Sequence, residues 1–321
     1  MDDIDFALLG LFAADDVNKR TELVLGQKKL IHYCSADTAL KIIKNREIWL
    51  RNVRVMNDYM EVNHGFNLIR KSLQPPVDTA IETGMNEVKK ALDVIHPGIA
   101  DEAFSRFQIW SPYIQYETYV TCLSEHLDDE NEDGRLSMWR NYSSGQAGVG
   151  IVINTSMFAR TDDALGVYSS PVTYLSDPAL EYSLMQVAQR IRDRAGFLST
   201  VPRETLIGHF FLLLRTISHG SKHPGFKEER EWRIFHTYGM DELKILKVTS
   251  ESLGGIPQRI LKLPLDGTIE GLSVADLVDK ILIGPSQYQG VIGTALADEL
   301  DRAGKKDAYK NIKYSPIPLR T

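Results

Sequence analysis

Apolar residues along this chain alternate at two different periods, and that contrast divides it into elements. KKLIHYC (28–34) is a short apolar run that predicts a strand. Ser35 follows as a candidate N-cap, and Ala36, Ala39, Leu40 and Ile43 recur at helical spacing before EIWLRN returns to the strand pattern. In NDYMEVNHGFNLIRKSL the residues Val62, Phe66, Ile69 and Leu73 share one helical face; Asn57 stands as its cap, Asp58 and Glu61 favour its positive end, and Pro75 and Pro76 stop it. Residues 77–112 read as a mainly helical insertion ending near Pro112. YVTCLSE (119–125) is β-rich, HLDDENEDG is a solvated acidic loop, and Ala147 to Asn154 predict a buried strand entered through glycines.

The second half repeats the alternation. Leu180, Leu184, Val187 and Ile191 make one amphipathic face, and LIGHFFLLLRTI is apolar nearly all round, so 178–219 predicts two helices. FKEEREWRIF, LKILKV, RILKLP, VDKILIGP and NIKYSPI read as strands, and YQGVIGTALADEL as a helix. Together these predict a single α+β domain over 1–321, with a mainly antiparallel central sheet and helical insertions at about 77–112 and 178–219.

Composition narrows the function classes. The 321 residues are 43% hydrophobic and 25% charged, enough for an ordinary globular core, and the formal net charge of -6 argues against an electrostatic grip on bulk nucleic acid. Cys34 and Cys122 stand alone, without the paired spacing of a disulfide framework or a zinc knuckle. Acidic residues precede the first apolar run, and no apolar stretch approaches membrane-spanning length. The expectation is a cytoplasmic protein without a membrane partner.

Three stretches carry candidate chemistry. In FKEEREWRIF, strand alternation would place Glu229, Glu231 and Arg233 on one face and Glu228, Arg230 and Trp232 on the other. Two carboxylates on one face would repel each other and separate their pKa values into acid and base roles. In IHYC, His32 and Tyr33 point to opposite faces of a strand. SMWRNY supplies Trp139 and Tyr142 as stacking surfaces and Arg140 as an anion-binding fork. Each also has a plain structural reading: a self-compensating edge strand, a satisfied interior histidine, ordinary core packing, and for Asn57 and Asp58 a helix start. The nucleophile elbow, the zinc-binding HExxH, the phosphate-binding loop and the dinucleotide glycine fingerprint are all absent.

The order LIHYCSADTALKIIKNREIWLRN, MNDYME, YVTCLSE, LSMWRNYSSGQAGVGIVI, FKEEREWRIF and KILIGPS resembles a bacterial family known only as domain of unknown function 2971, through its MWxxY, ExEWR and IxxGP elements. MNDYME departs from it by lacking a proline after Asn-Asp. The opening His-Tyr strand and helix are in turn similar to ADP-ribosyltransferase-like folds. That resemblance implies an NAD-consuming enzyme, a toxin, effector or phage-defence protein, with NAD as substrate, a protein or nucleic-acid acceptor, and an immunity or antitoxin partner. It would make Glu231 the carboxylate that steadies the ribosyl cation and Glu229 the group acting on the acceptor. His32 and Ser124 would take the places of the first two core-strand residues, with His32 on the adenosine ribose. Tyr33 or Tyr142 would stack on a ring and Arg51 or Arg140 meet the pyrophosphate, with Asn57, Asp58 and Trp139 around the same nucleotide.

Two other readings stay open. One keeps the fold as a module that binds a nucleotide or a nucleic-acid end without cleaving NAD. The other is a magnesium-dependent nuclease built on Glu229, Glu231 and Asp58.

Overall fold

The computed structural model describes residues 3–56, 61–74, 82–142, 147–160 and 163–318; the expectations for Asn57, Asp58, Pro75 and Pro76 lie outside them. Helices α1 (Asp3–Phe12) and α2 (Ala14–Leu25) precede β1 (Lys29–Ser35), α3 (Ala36–Asn45) and β2 (Glu47–Asn52). Ser35 caps α3 as its spacing predicts, its side chain accepting from the Thr38 N–H. Helices α4 (Glu61–Ser72), α5 (Gly84–Ile95) and α6 (Ile99–Tyr116) lead to β3 (Thr118–His126), α7 (Leu136–Tyr142) and β4 (Gly148–Ile153). Two short strands, β5 (Tyr168–Pro171) and β6 (Thr173–Tyr174), precede α8 (Asp177–Asp193), α9 (Ala195–Leu198) and α10 (Arg203–Gly220). The chain closes with β7 (Ser221–Lys222), β8 (Glu231–Thr237), β9 (Lys247–Leu253), β10 (Ile256–Pro264), α11 (Val274–Leu277), β11 (Val278–Ile283), α12 (Gln289–Arg302) and β12 (Ile312–Tyr314).

The main sheet runs β12-β11-β4-β1-β3-β2-β10-β9, and β8 and β5 branch from it. Within it only the β11–β12 pair is parallel among the described residues, so the α+β class with a largely antiparallel sheet stands. Strand β3 is the branch point. Along one edge it pairs with β8 from Thr118 to Ser124. Its other edge is divided: β2 takes Tyr119 and Val120, and β1 takes Ser124 to His126. Thr121 to Leu123 therefore have no strand partner on that edge among the described residues.

The two helical stretches predicted as insertions share one core. Leu68, Met85, Ile99, Phe107, Leu184, Leu198 and Phe210 from α4, α5, α6, α8, α9 and α10 pack together, joined by Leu8 of α1. A second core lies under the opposite face of the sheet, where Ile43 of α3 and Leu296 of α12 meet Leu30, Leu123, Ile151 and Trp232.

Two expectations need correction. LKILKV does not form a strand: Lys244 takes a left-handed backbone (φ 48°), Leu246 N–H bonds back to Leu243, and β9 begins only at Lys247. Leu243 and Ile245 earn their apolar character by packing against the second core. Pro112 does not end its helix, because α6 continues to Tyr116. A proline removes the bond to the carbonyl four residues back, here that of Gln108, and the Ser111 hydroxyl donates to that same carbonyl at 2.8 Å. The amino-terminal pair α1 and α2 gave no signal that sequence reasoning used. Helix α2 docks on β5 through Asp16, a half-buried carboxyl that accepts from the Ser170 hydroxyl at 2.9 Å.

Two predictions follow from this packing. A Cβ on Gly65 would lie 2.4 Å from the Ile217 carbonyl oxygen and 2.6 Å from Ser218 Cα, so backbone meets backbone where α4 crosses α10. Gly65→Ala should cost about 1–3 kcal/mol, read as a lowered denaturation midpoint. Burial raises the Asp16 pKa to about 6 against the partial offset of Ser170 and Arg20. A raised folded-state pKa means the folded form holds its proton more tightly than the unfolded chain. Its contribution is then full below about pH 4 and lost as pH rises through about 6. Denaturation measured across that window should show a decline in the native protein that Asp16→Asn lacks.

Candidate functional site

The charged stretch between Phe226 and Arg233 is not one strand. Pro224 opens a 3-10 turn that runs to Glu229, Arg230 follows in a left-handed conformation (φ 45°), and β8 starts at Glu231. Alternation therefore holds for Glu231 and Arg233 but not for Glu229, which reaches the same place by another route. Lys222 of β7 brings the two acids together, its Nζ 2.8 Å from Glu229 Oε2 and 3.0 Å from Glu231 Oε2. Pro224 and Gly225 are the residues from which the break could have been read.

Glu231 is 4% exposed, and a carboxylate there needs compensation from every side. Arg233 Nε donates to its Oε1 at 2.8 Å, Lys222 to its other oxygen, and the Cys122 thiol adds a hydrogen bond. Burial alone would raise the pKa, but Arg233 and then Lys222 hold it well below the usual carboxylate range. Both cations are fixed in turn. Arg233 Nη1 donates to the His219 carbonyl at 2.6 Å, and Lys222 lies 4.7 Å from the centroid of the Phe226 ring. The Glu231 N–H donates to the Tyr174 hydroxyl at 2.9 Å. Tyr142, at the end of α7, stands close enough for Glu229, Cys122 and Glu231 to reinforce the upward push that burial gives its phenol.

A residue that sequence reasoning passed over ties this cluster to the sheet. Arg135 is 6% exposed, and its guanidinium donates to Glu130, to the carbonyls of Glu228 and Glu229 in the turn, and to the carbonyl of Glu125 on β3. Its own N–H donates to the Tyr33 hydroxyl at 3.0 Å. Its place just after the acidic loop, three residues before Met138, was the available signal: a buried arginine is drawn to surplus carboxylates and carbonyls.

The register decides which predicted residues share a face. Ile31 pairs with Ser124, and Ser124 with Glu231, so these side chains and Tyr33 project from one face. Arg51 pairs with Val120 and joins that face. His32 projects from the other. Its Nδ1 donates to the Cys122 carbonyl at 2.9 Å, filling the unpaired stretch of the β3 edge, and burial lowers its pKa, so it stays neutral. The expected pairing of His32 and Glu231 over one nucleotide is thus not formed, because odd and even positions of β1 face opposite ways.

Three candidates are packed in the interior and one lies on the surface. Trp139 is buried, donates its indole N–H to the Asp133 carbonyl at 2.9 Å and meets the Tyr33 ring edge-on, with centroids 4.8 Å apart. Glycines make its space: a Cβ on Gly134 or Gly284 would lie 2.4 or 2.9 Å from the indole. Tyr33 is held between that indole and the Arg135 backbone, and Ser124 is 2% exposed. Arg140 is exposed on α7. Arg51 is different. Half-buried, it donates from Nη2 to the Val55 carbonyl, its Nε has no partner, and no carboxylate pairs with it among the described residues.

The donor set does not suit a metal. The ammonium of Lys222 stands between the two carboxylates that would hold one, and the described residues contain no group of three metal-ligating side chains. None of the described helices is long and apolar enough to cross a membrane.

A branched antiparallel sheet with a buried, cation-locked carboxylate at its branch point defines the class of architecture. Residues 138–234, from α7 to the middle of β8, match the model of a family described as a protein of unknown function, DUF2971. The MWxxY and ExEWR elements lie inside that match; LIHYC and ILIGP lie outside it. No curated protein and no solved structure matches the chain.

Removing the Glu231 charge should be costly, since Lys222 and Arg233 would remain buried without it. Glu231→Gln is expected to lose about 3–5 kcal/mol in chemical denaturation. The pH dependence has the opposite sign to that of Asp16. A depressed folded-state pKa gives stability that is complete above the unfolded value of about 4.3 and lost as pH falls below it. Acid titration of the native protein should show that loss, and the Glu231→Gln profile should be flatter.

Proposed function

We propose that the face of the sheet running along β3 from Arg51 to Glu231 binds a nucleotide or a similar phosphorylated, ring-bearing ligand, and binds it without cleaving the bond between nicotinamide and ribose. The observation that carries the reading is Arg51: a half-buried guanidinium with an unpartnered Nε and no carboxylate among the described residues. A cation withdrawn from water without a counter-charge is a place for a ligand's anion. Tyr142 supplies a half-buried ring beside the carboxylate cluster at the far end.

Two features argue against the NAD-cleaving form of this site, which the likeness to ADP-ribosyltransferases suggested. His32 projects from the other face, and the Glu231 carboxylate is matched by Lys222 and Arg233, so little of its charge is left for a ribosyl cation. In this reading Glu231 holds the floor of the site in place, and NAD, ADP-ribose and AMP are the first ligands to test.

Calorimetric titration of the three should give binding that Arg51→Ala weakens by about tenfold or more. Labelled NAD should release no nicotinamide. No binding of any of the three would overturn the proposal. Release that Tyr142→Phe leaves intact, and that Glu231→Gln abolishes while still folding and binding NAD, would instead establish the transferase.

A further inference from the structure

The main sheet ends on two unlike edges. At one, β12 is three residues long, and Pro316 and Pro318, which have no N–H to offer a further strand, follow it. At the other, β9 has no strand on its outer side among the described residues. It is seven residues long and holds no proline. It pairs with β10 in unbroken register, from Leu253 against Ile256 to Lys247 against Lys262, with no bulge to turn it aside. Shortness and proline close the β12 edge, and neither they nor a bulge closes that of β9.

The turn fixes which groups of β9 face outward. Gly254 and Gly255 join β9 to β10 as a two-residue hairpin turn with positive φ at both positions (57° and 79°), so Leu253 and Ile256 form the hydrogen-bonded pair beside it. Hydrogen-bonded and open pairs alternate from there. The N–H and C=O groups of Lys247, Thr249 and Glu251 are thereby directed to β10, and those of Val248, Ser250 and Ser252 outward. These last three residues are exposed, and their backbone groups bond to no other element among the described residues.

The side chains decide what this edge fits. On the face shared by Lys247, Thr249 and Glu251, one cation answers two acids: Lys262 reaches Glu47 at 2.9 Å and Glu251 at 2.7 Å. Lys247 is exposed and makes no ion pair among the described residues; Asp266, close enough to feel its charge, is engaged by Thr268. Between them, Thr249 has a buried hydroxyl oxygen with no hydrogen-bond partner among the described residues. A spare cation, an orphan hydroxyl and an under-compensated acid, each two residues from the next, complement the same strand run in the opposite direction.

We propose that β9 pairs antiparallel with β9 of a second copy about a two-fold axis at Thr249, so that one sheet continues through both chains. Lys247 then stands opposite Glu251 of the second copy on both sides of the axis, and the two Thr249 hydroxyls face each other. All of these are open pairs, in which opposed side chains come closest. Val248 and Ser250 exchange backbone hydrogen bonds with Ser250 and Val248 of the second copy. Moving the axis to Ser250 would set Lys247 against Leu253 and Glu251 against Thr249, and both ion pairs would be lost. Strand pairing alone buries less than the standard interface of about 1,600 Å2, so the association is weak and depends on concentration.

Sedimentation velocity of the full chain over about 1–300 μM should show monomer giving way to dimer as concentration rises. Ser250→Pro removes an outward N–H that β10 does not use, so this variant should keep the circular dichroism of the parent and stay monomeric. Lys247→Glu and Glu251→Lys each set like charges opposite one another and should weaken self-association about tenfold or more. Mixed together, the two variants have opposite charges at both positions again and should associate about as tightly as the parent. A defect in folding would not be repaired by mixing. A chain that stays monomeric over the whole range would overturn the proposal, as would a dimer that Ser250→Pro leaves intact or charge variants that stay apart when mixed. So would an edge that takes an unrelated strand-forming peptide but not its own copy.

Discussion

Glu231 is a charge in a place that does not tolerate one, and much of the surrounding structure answers to it. Its carboxylate, 4% exposed, could be carried into the interior only with Lys222 and Arg233 beside it. Those two residues come from opposite sides of the 3-10 turn. The acid thereby closes β7 onto β8, and Lys222 draws Glu229 in from the turn itself. Arg135 holds the turn by its carbonyls and the end of β3 by another, while its backbone fixes Tyr33. The result is a rigid polar floor whose charges are largely spent on one another. Arg51, on the same sheet face, differs from these groups in that no carboxylate pairs with it among the described residues.

Much of the fold was legible because most elements obey one period each. β2 appears at its predicted bounds, α3 has its predicted cap, and the α+β class follows from their alternation. What was not legible has local causes. Alternation cannot be carried across Arg230, whose left-handed backbone resets the phase, so Glu229 was assigned to a strand face it never joins. The apolar residues of LKILKV serve packing rather than pairing. Ser111 rescues a helix that Pro112 would otherwise stop. The candidate site was partly legible: Glu231 and Arg51 share a sheet face, whereas the partition of His32 to the other depends on register. Register is set by which strands meet at β3, and a single sequence does not carry that information.

The three motifs make physical sense together. MWxxY places Trp139 in the interior, and IxxGP supplies Gly284, whose missing side chain leaves room for that indole. The tyrosine of MWxxY is Tyr142, beside the acids of ExEWR. Elements far apart in sequence are thus facets of one packing unit, in which a side chain at Gly284 would displace the indole.

The divided edge of β3 leaves a seam in the sheet. No backbone hydrogen bond joins β1 to β2 across it; each half is anchored to β3 separately, and β3 is in turn aligned from its opposite side by β8. A strand registered from one side is free to accept lengthening of the connections that enter from the other. The chain between β2 and β3 makes use of this freedom, since α4, α5 and α6 leave and return there without disturbing the alignment of either half. In such an arrangement new surface can be added at the seam as a detour, while the strands beneath keep the partners they already had.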